Sequence, residues 1–232
     1  MGEQNQYRRT ESRAERIRRV KRNRRILLLV VIGIIAAIVA AIVLGRGRGR
    51  MSSAGRPGDL VNLGEGCPPL DVQLLTPNEY SRPQTPLEQV DGIVVHYTAN
   101  PGSSAQANRN YFEGLKDGTD GVSASSHFII GLGGEIIQCI PTAEVSYASN
   151  DRNFDTISIE CCHPDESGQF TDDTYQSLVE LTAWLCNRFQ LSSEDVIRHY
   201  DVTGKECPKY FVDHEDAWEQ FRNDVQKQID KL

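Results

Sequence analysis

Five histidines (His96, His127, His163, His199 and His214) and six cysteines (Cys67, Cys139, Cys161, Cys162, Cys186 and Cys207) are the side chains of this sequence best suited to metal or nucleophilic chemistry. His96 and His199 stand near the ends of two β-rich segments, VVHYT and IRHYD, and Cys207 follows His199 by eight residues in the loop GKECPKY. Two imidazoles and a thiolate make an open zinc site, since catalytic zinc keeps three protein ligands and a water whereas structural zinc is closed by four. The spacing matches no standard short zinc motif, so the residue types leave two other readings open. The histidines could be hydrogen-bonded core residues and Cys207 a loop thiol, or Cys207 could be a nucleophile served by a histidine base.

Hydrolysis also needs a proton carrier, and a carboxylate is the natural one. In TISIECC, strand alternation puts Glu160 on the face shared with Ser158 and Cys162, while Ile159 and Cys161 face the other way. A glutamate in so apolar a stretch is costly to bury unpaired, which argues for a function. Lys205, two residues before Cys207, reads on its own as a solvated loop lysine, with positive charge for a developing oxyanion as the alternative. His127 reads as structural or substrate-lining, and His163 and His214 as surface residues. Cys139 and Cys186 read as buried free thiols. There is no C-x-x-C pair and no regular cysteine framework, which excludes a small disulfide scaffold.

These groups need a scaffold, and the pattern supplies an α/β one. Gly92 to Thr98 (GIVVHYT) and Thr156 to Cys162 (TISIECC) are β-branched runs of buried-strand type. HFIIG and EIIQCI flank Leu132-Gly133-Gly134 as a hairpin, and Asp195 to Asp201 holds a short strand. Helices are predicted from Ser104 to Lys116, from Thr171 with the stripe Leu178, Leu181, Leu185 and Phe189, and from Asp216 to Leu232 with Trp218, Phe221, Val225 and Ile229 on one face. Asp172 and Asp173 suit the positive end of a helix dipole. Alternating strands and helices predict a single mixed central β-sheet with flanking helices. The proline-rich stretch 59–90 is expected to be an irregular lead-in, because proline interrupts helices and ladders.

The N-terminal quarter is different material. Ile26 to Leu44 is an uncharged apolar run, about the length that spans a bilayer's hydrocarbon core. Residues 1–56 hold 14 Lys/Arg against 3 Glu, a net of +11, and the remainder holds 11 against 29 Asp/Glu, a net of −18. The basic excess before the run predicts a cytoplasmic N-terminus and an uncleaved signal-anchor, with a cleaved signal peptide as the alternative. The expected layout is a basic tail at 1–25, a transmembrane helix at 26–44, a flexible Gly/Ser-rich linker at 45–66 and a catalytic domain at 67–232. So acidic a body argues against nucleic acid as a partner. The basic tail reads as a topology signal and a contact to anionic lipid. The chain carries no evident internal repeat and no signal of oligomeric state.

Taken together and in order, VVHYTANPG, SSHFIIGLGGEIIQCIP, TISIECC and RHYDVTGKECPKY resemble the zinc-dependent N-acetylmuramoyl-L-alanine amidases, the phage-lysozyme-type enzymes related to peptidoglycan recognition proteins. The resemblance runs from about Gly92 to Trp218. It implies a zinc ion (Zn2+) held by His96, His199 and Cys207, catalytic roles for Glu160 and Lys205, and peptidoglycan as substrate. The bond implied is the amide between the lactyl group of N-acetylmuramic acid and L-alanine, cut outside a bacterial cell membrane. Thr98, Asn150 and Arg152 are candidate substrate contacts, Arg152 as a bidentate partner for a stem-peptide carboxylate. Two positions depart from the family pattern. Ser126 replaces a tyrosine before the His-Phe pair, and Tyr147-Ala148 replaces a Trp-His pair. A non-catalytic peptidoglycan-binding module is the other outcome the resemblance allows; inactive relatives have typically lost the cysteine ligand, which is present here.

Overall fold

The computed structural model describes Leu60–Val61 and residues 66–232 apart from Asp120. The basic tail, the apolar run and most of the expected linker lie outside the described residues. Among the described residues, no helix is long and apolar enough to cross a membrane.

Seven strands form one mixed sheet in the order β1-β2-β5-β4-β6-β3-β7. They are β1 (Leu60–Val61), β2 (Leu70–Val72), β3 (Gly92–Tyr97), β4 (Phe128–Ile130), β5 (Ile136–Gln138), β6 (Thr156–Cys161) and β7 (Val196–Arg198). β4 and β5 are the expected antiparallel hairpin. β4, β6, β3 and β7 run parallel side by side, which long crossovers through the helices make possible. The proline-rich lead-in is more ordered than its composition predicted. β2 pairs parallel with β5, and β1, inside the expected linker, pairs antiparallel with β2. The prolines stand outside these short ladders, where no backbone N–H is needed.

The helices are α1 (Ala105–Gly114), α2 (Asp172–Phe189), α3 (His199–Thr203), α4 (Lys209–Asp213) and α5 (Glu215–Ile229). Ser104 and Thr171 cap α1 and α2 by accepting from the N–H groups of Ala107 and Thr174, which satisfies donors a helix start leaves orphaned. α2, α4 and α5 cover one sheet face. Leu178, Leu181 and Leu185 meet Phe211, Trp218 and Phe221 over Ile93, Val95, Ile157 and Ile159. α1 covers part of the other face, where Phe112 and Leu115 join Ile129, Ile137, Cys139 and Cys162. Cover on both faces explains why β3 and β6 are continuously apolar runs. Cys139 and Cys186 are buried free thiols.

Two histidines outside the zinc candidates are fixed by this packing. His127 is buried: its Nδ1 accepts from the Ser158 N–H at 3.0 Å and its Nε2–H donates to the Glu144 carbonyl at 2.8 Å. Burial lowers its pKa to about 4, so the ring is a neutral structural group. His163, expected at the surface, is 1 % exposed. β6 carries it inward to lie against the Tyr97 ring, and its Nδ1–H donates to the Asp165 carbonyl.

Candidate active site

The carboxyl ends of three adjacent parallel strands deliver the chemistry, and such ends are where open α/β sheets bind ligands. β3 and β6 are in register with His96 opposite Glu160 and Tyr97 opposite Cys161. In a parallel pair, opposite residues share a face at a spacing of about 4.8 Å, so the imidazole and the carboxylate stand side by side. β7, on the far side of β3, ends at Arg198. His199 begins α3 rather than ending the strand as the sequence suggested.

Cys207 is brought back to the same point by a closed loop. Gly204 ends α3 in the left-handed conformation, at φ +77°, a region open to glycine without cost. The Tyr200 N–H then donates to the Cys207 carbonyl at 2.8 Å. Arg198 anchors the base of this loop. Its buried guanidinium binds Asp201, Glu215 and the Phe211 carbonyl and lies over the Trp218 and Tyr200 rings.

The outcome is a compact donor set. One ligand atom each from His96, His199 and Cys207 lies within 4.8 Å of the others. Cys207 Sγ is 3.9 Å from His96 Nδ1, and the two imidazole centroids are 4.6 Å apart. All three side chains are buried. Burial pulls the His96 pKa well below its usual value, helped by the charges of His199 and Lys205; burial, then Lys205, lowers that of His199. Both rings are therefore neutral, the form that binds metal.

Glu160 is half-buried, but its Oε2 is fully enclosed and has no hydrogen-bond partner. Desolvation pushes its pKa up to about 8, against a smaller opposing pull from Lys205. Lys205 is exposed, yet its charge reaches Glu160, His96, His199 and Cys207 alike. The donor set fits zinc: two neutral imidazoles, a buried sulfur and an unpaired carboxylate are left in need of a cation. The same surroundings oppose a free thiolate nucleophile. Burial, then the Glu160 charge, raises the Cys207 pKa to about 12, whereas a catalytic cysteine needs it depressed.

The three candidate substrate contacts fare differently. Thr98 lies two residues beyond His96, and its buried Oγ1 has no hydrogen-bond partner. Asn150 reaches the site but contacts His199, with Oδ1 2.9 Å from Nε2. Arg152 pairs with its sequence neighbour Asp155, with Nε 2.9 and 2.8 Å from the two carboxylate oxygens, and its Nη2 approaches Gly92, at the far end of β3 from His96. The sequence reading missed Ser149, whose Oγ is 3.2 Å from His96 Nε2. Ser126, the departure from the family's tyrosine, is fully buried and donates to the Phe128 and Ser158 carbonyls, so it takes no part at the site surface.

Comparison with known proteins agrees with this geometry. The sequence profile of the N-acetylmuramoyl-L-alanine amidase family matches residues 86–210, more than half of the chain, including His96, Glu160, His199, Lys205 and Cys207. The chain is 36% identical over 167 residues to N-acetylmuramoyl-L-alanine amidase CwlL of Bacillus licheniformis, and 34% identical over 173 residues to N-acetylmuramoyl-L-alanine amidase BlyA of Bacillus subtilis (strain 168). These alignments take in 67% and 66% of this chain but 45% of each relative, so the chain spans about half the length of the curated relatives it matches. Among solved structures, that of PlyL superposes with a TM-score of 0.57 at 25% identity, covering 67% of this chain and 95% of the other. Profile, relatives and fold converge on one statement: the chain belongs to the N-acetylmuramoyl-L-alanine amidase family.

Proposed function

We propose that this chain is a membrane-anchored peptidoglycan hydrolase that cleaves the amide between the lactyl carbonyl of N-acetylmuramic acid and L-alanine. The observation that carries this reading is the cluster of His96, His199 and Cys207 beside the unpaired carboxylate of Glu160, in a chain of the amidase family. His96, His199 and Cys207 would hold zinc. Bound there, zinc supplies a Lewis acid that polarises an amide carbonyl and acidifies water.

The chain's own residues do the rest. Glu160 takes a proton from the attacking water and delivers it to the departing alanine nitrogen, the acid–base work a positioned carboxylate can do. Lys205 places positive charge beside the oxygen that gains negative charge. Thr98, two residues beyond His96 with a hydroxyl that no protein group satisfies, is the candidate hydroxyl contact for substrate. The strand ends hold these groups fixed, which lowers the barrier by orientation. The apolar run Ile26–Leu44 and the basic block before it support an anchor with the tail in the cytoplasm and the acidic domain facing the wall.

Digestion of purified peptidoglycan by the full chain tests the reaction. New amino groups on alanine should appear without new reducing sugar ends, and a chelator should abolish them. Reducing ends would mean a glycosidase, and activity that survives complete zinc removal would exclude the metal reading. Glu160→Gln should retain zinc and lose about a hundredfold or more in turnover, the scale of a positioned acid–base group; near wild-type turnover would remove Glu160 from the mechanism.

The buried carboxylate also predicts a pH signature in the zinc-free protein. The folded-state pKa of Glu160, about 8, lies above its ordinary value of 4.5. Its contribution to stability is therefore fully present below pH 4.5 and is lost as pH rises through about 8. Zinc-free wild type should lose more stability between pH 5 and pH 9 than zinc-free Glu160→Gln, as read by denaturant unfolding. Parallel curves would show that the carboxylate is well solvated.

For the anchor, protease added to wall-stripped cells should digest the acidic domain and spare the basic tail. A protected domain would contradict the orientation, and a soluble mature form beginning after Leu44 would replace the anchor with a cleaved leader.

A further inference from the structure

The two candidate zinc histidines are each held on their second nitrogen by consecutive residues of one loop. Ser149 Oγ is 3.2 Å from His96 Nε2, and Asn150 Oδ1 is 2.9 Å from His199 Nε2. On His96 the other nitrogen, Nδ1, is the one that faces Cys207 Sγ. We infer that Ser149 and Asn150 are positioning residues for the metal site: by accepting from Nε2–H they fix the tautomer and ring orientation of both histidines and leave each Nδ1 lone pair for the ion. Metal-bound histidines commonly carry such outer partners, which also raise ligand basicity. This inference rests on the zinc reading above.

The loop is built to hold that pose. The Asn153 side chain accepts from the N–H groups of both Ala148 and Ser149, at 3.0 and 2.6 Å. The Arg152 N–H donates to the Ser149 carbonyl and the Asn153 N–H to the Asn150 carbonyl, closing a single 3-10 turn over Asn150–Arg152. Thr156 Oγ1 donates to the Arg152 carbonyl at 2.6 Å, which ties the turn to the start of β6. Asp155 clamps the Arg152 guanidinium. Asn150 itself has φ +53°, a left-handed conformation that asparagine tolerates better than most residues. Two independent side chains, one buried and one exposed, thus meet two different histidines from adjacent positions.

Zinc affinity of the full chain, measured by competition with a chromophoric chelator, tests the inference; the visible spectrum of the Co2+-substituted protein is a second readout. Asn150→Gly suits the left-handed backbone and removes only the acceptor. It should bind one zinc about tenfold or more weakly, the usual cost of losing such a partner, and its Co2+ bands should shift. Asn150→Asp keeps an oxygen at the same place and should restore the affinity; a loop that merely needed its fold would show no such rescue. Ser149→Ala should weaken zinc in the same direction through His96. The inference is overturned if wild type binds one zinc and folded Asn150→Gly and Ser149→Ala match it in affinity and spectrum. A wild type that binds no zinc would overturn the zinc reading itself, and this inference with it.

Discussion

The register between β3 and β6 is the constraint on which this molecule depends. Because the two strands run parallel with His96 opposite Glu160, the ligand and the carboxylate emerge on one face at neighbouring strand ends. A slip of one residue between them would turn one strand's side chains to the opposite face and part His96 from Glu160. The register is held by six consecutive pairs and by burial on both faces, where Ile93, Val95, Ile157 and Ile159 lie under α2 and α5. The hydrophobic core does more than supply stability here: it sets which residues can meet.

That arrangement carries a cost that the chemistry uses. A carboxylate oxygen without a partner, two imidazoles stripped of solvent and a thiol in a closed loop are each unfavourable alone. A divalent cation held by His96, His199 and Cys207 would offset all of them together, since it would take imidazole lone pairs, favour the thiolate and attract the carboxylate. Next to Glu160 a polar seam satisfies itself instead. Ser126, Ser146, Ser158 and His127 hydrogen-bond one another and nearby backbone, so the strand carries polar groups inside without leaving them in deficit. Glu160, at the strand end beside the two histidines, differs from that satisfied seam in having an enclosed oxygen without a partner.

Much of this was legible in the sequence. The β-branched runs marked β3 and β6, alternation assigned Glu160 its face, and the amphipathic stripes located α2 and α5, all because each signal is local. What failed was decided by tertiary neighbours. His163 looked like a strand-end surface residue, but the Tyr97 ring and the Asp165 carbonyl enclose it. The prolines of the lead-in hid β1 and β2, whose two and three residues are too short to show a period. Ser149 carried no signal beyond its place in the polar run SNDRN, since nothing in that run says which histidine a hydroxyl will meet.

The central claim, that three side chains from β3, the start of α3 and the returning loop converge on one metal, is tested most directly by zinc-edge X-ray absorption on the full chain. A single bound zinc should show one sulfur at about 2.3 Å and two imidazole nitrogens at about 2.0–2.1 Å, with a light oxygen completing the shell. A shell without sulfur, or one closed by several sulfurs, would contradict the convergence of His96, His199 and Cys207 on one ion.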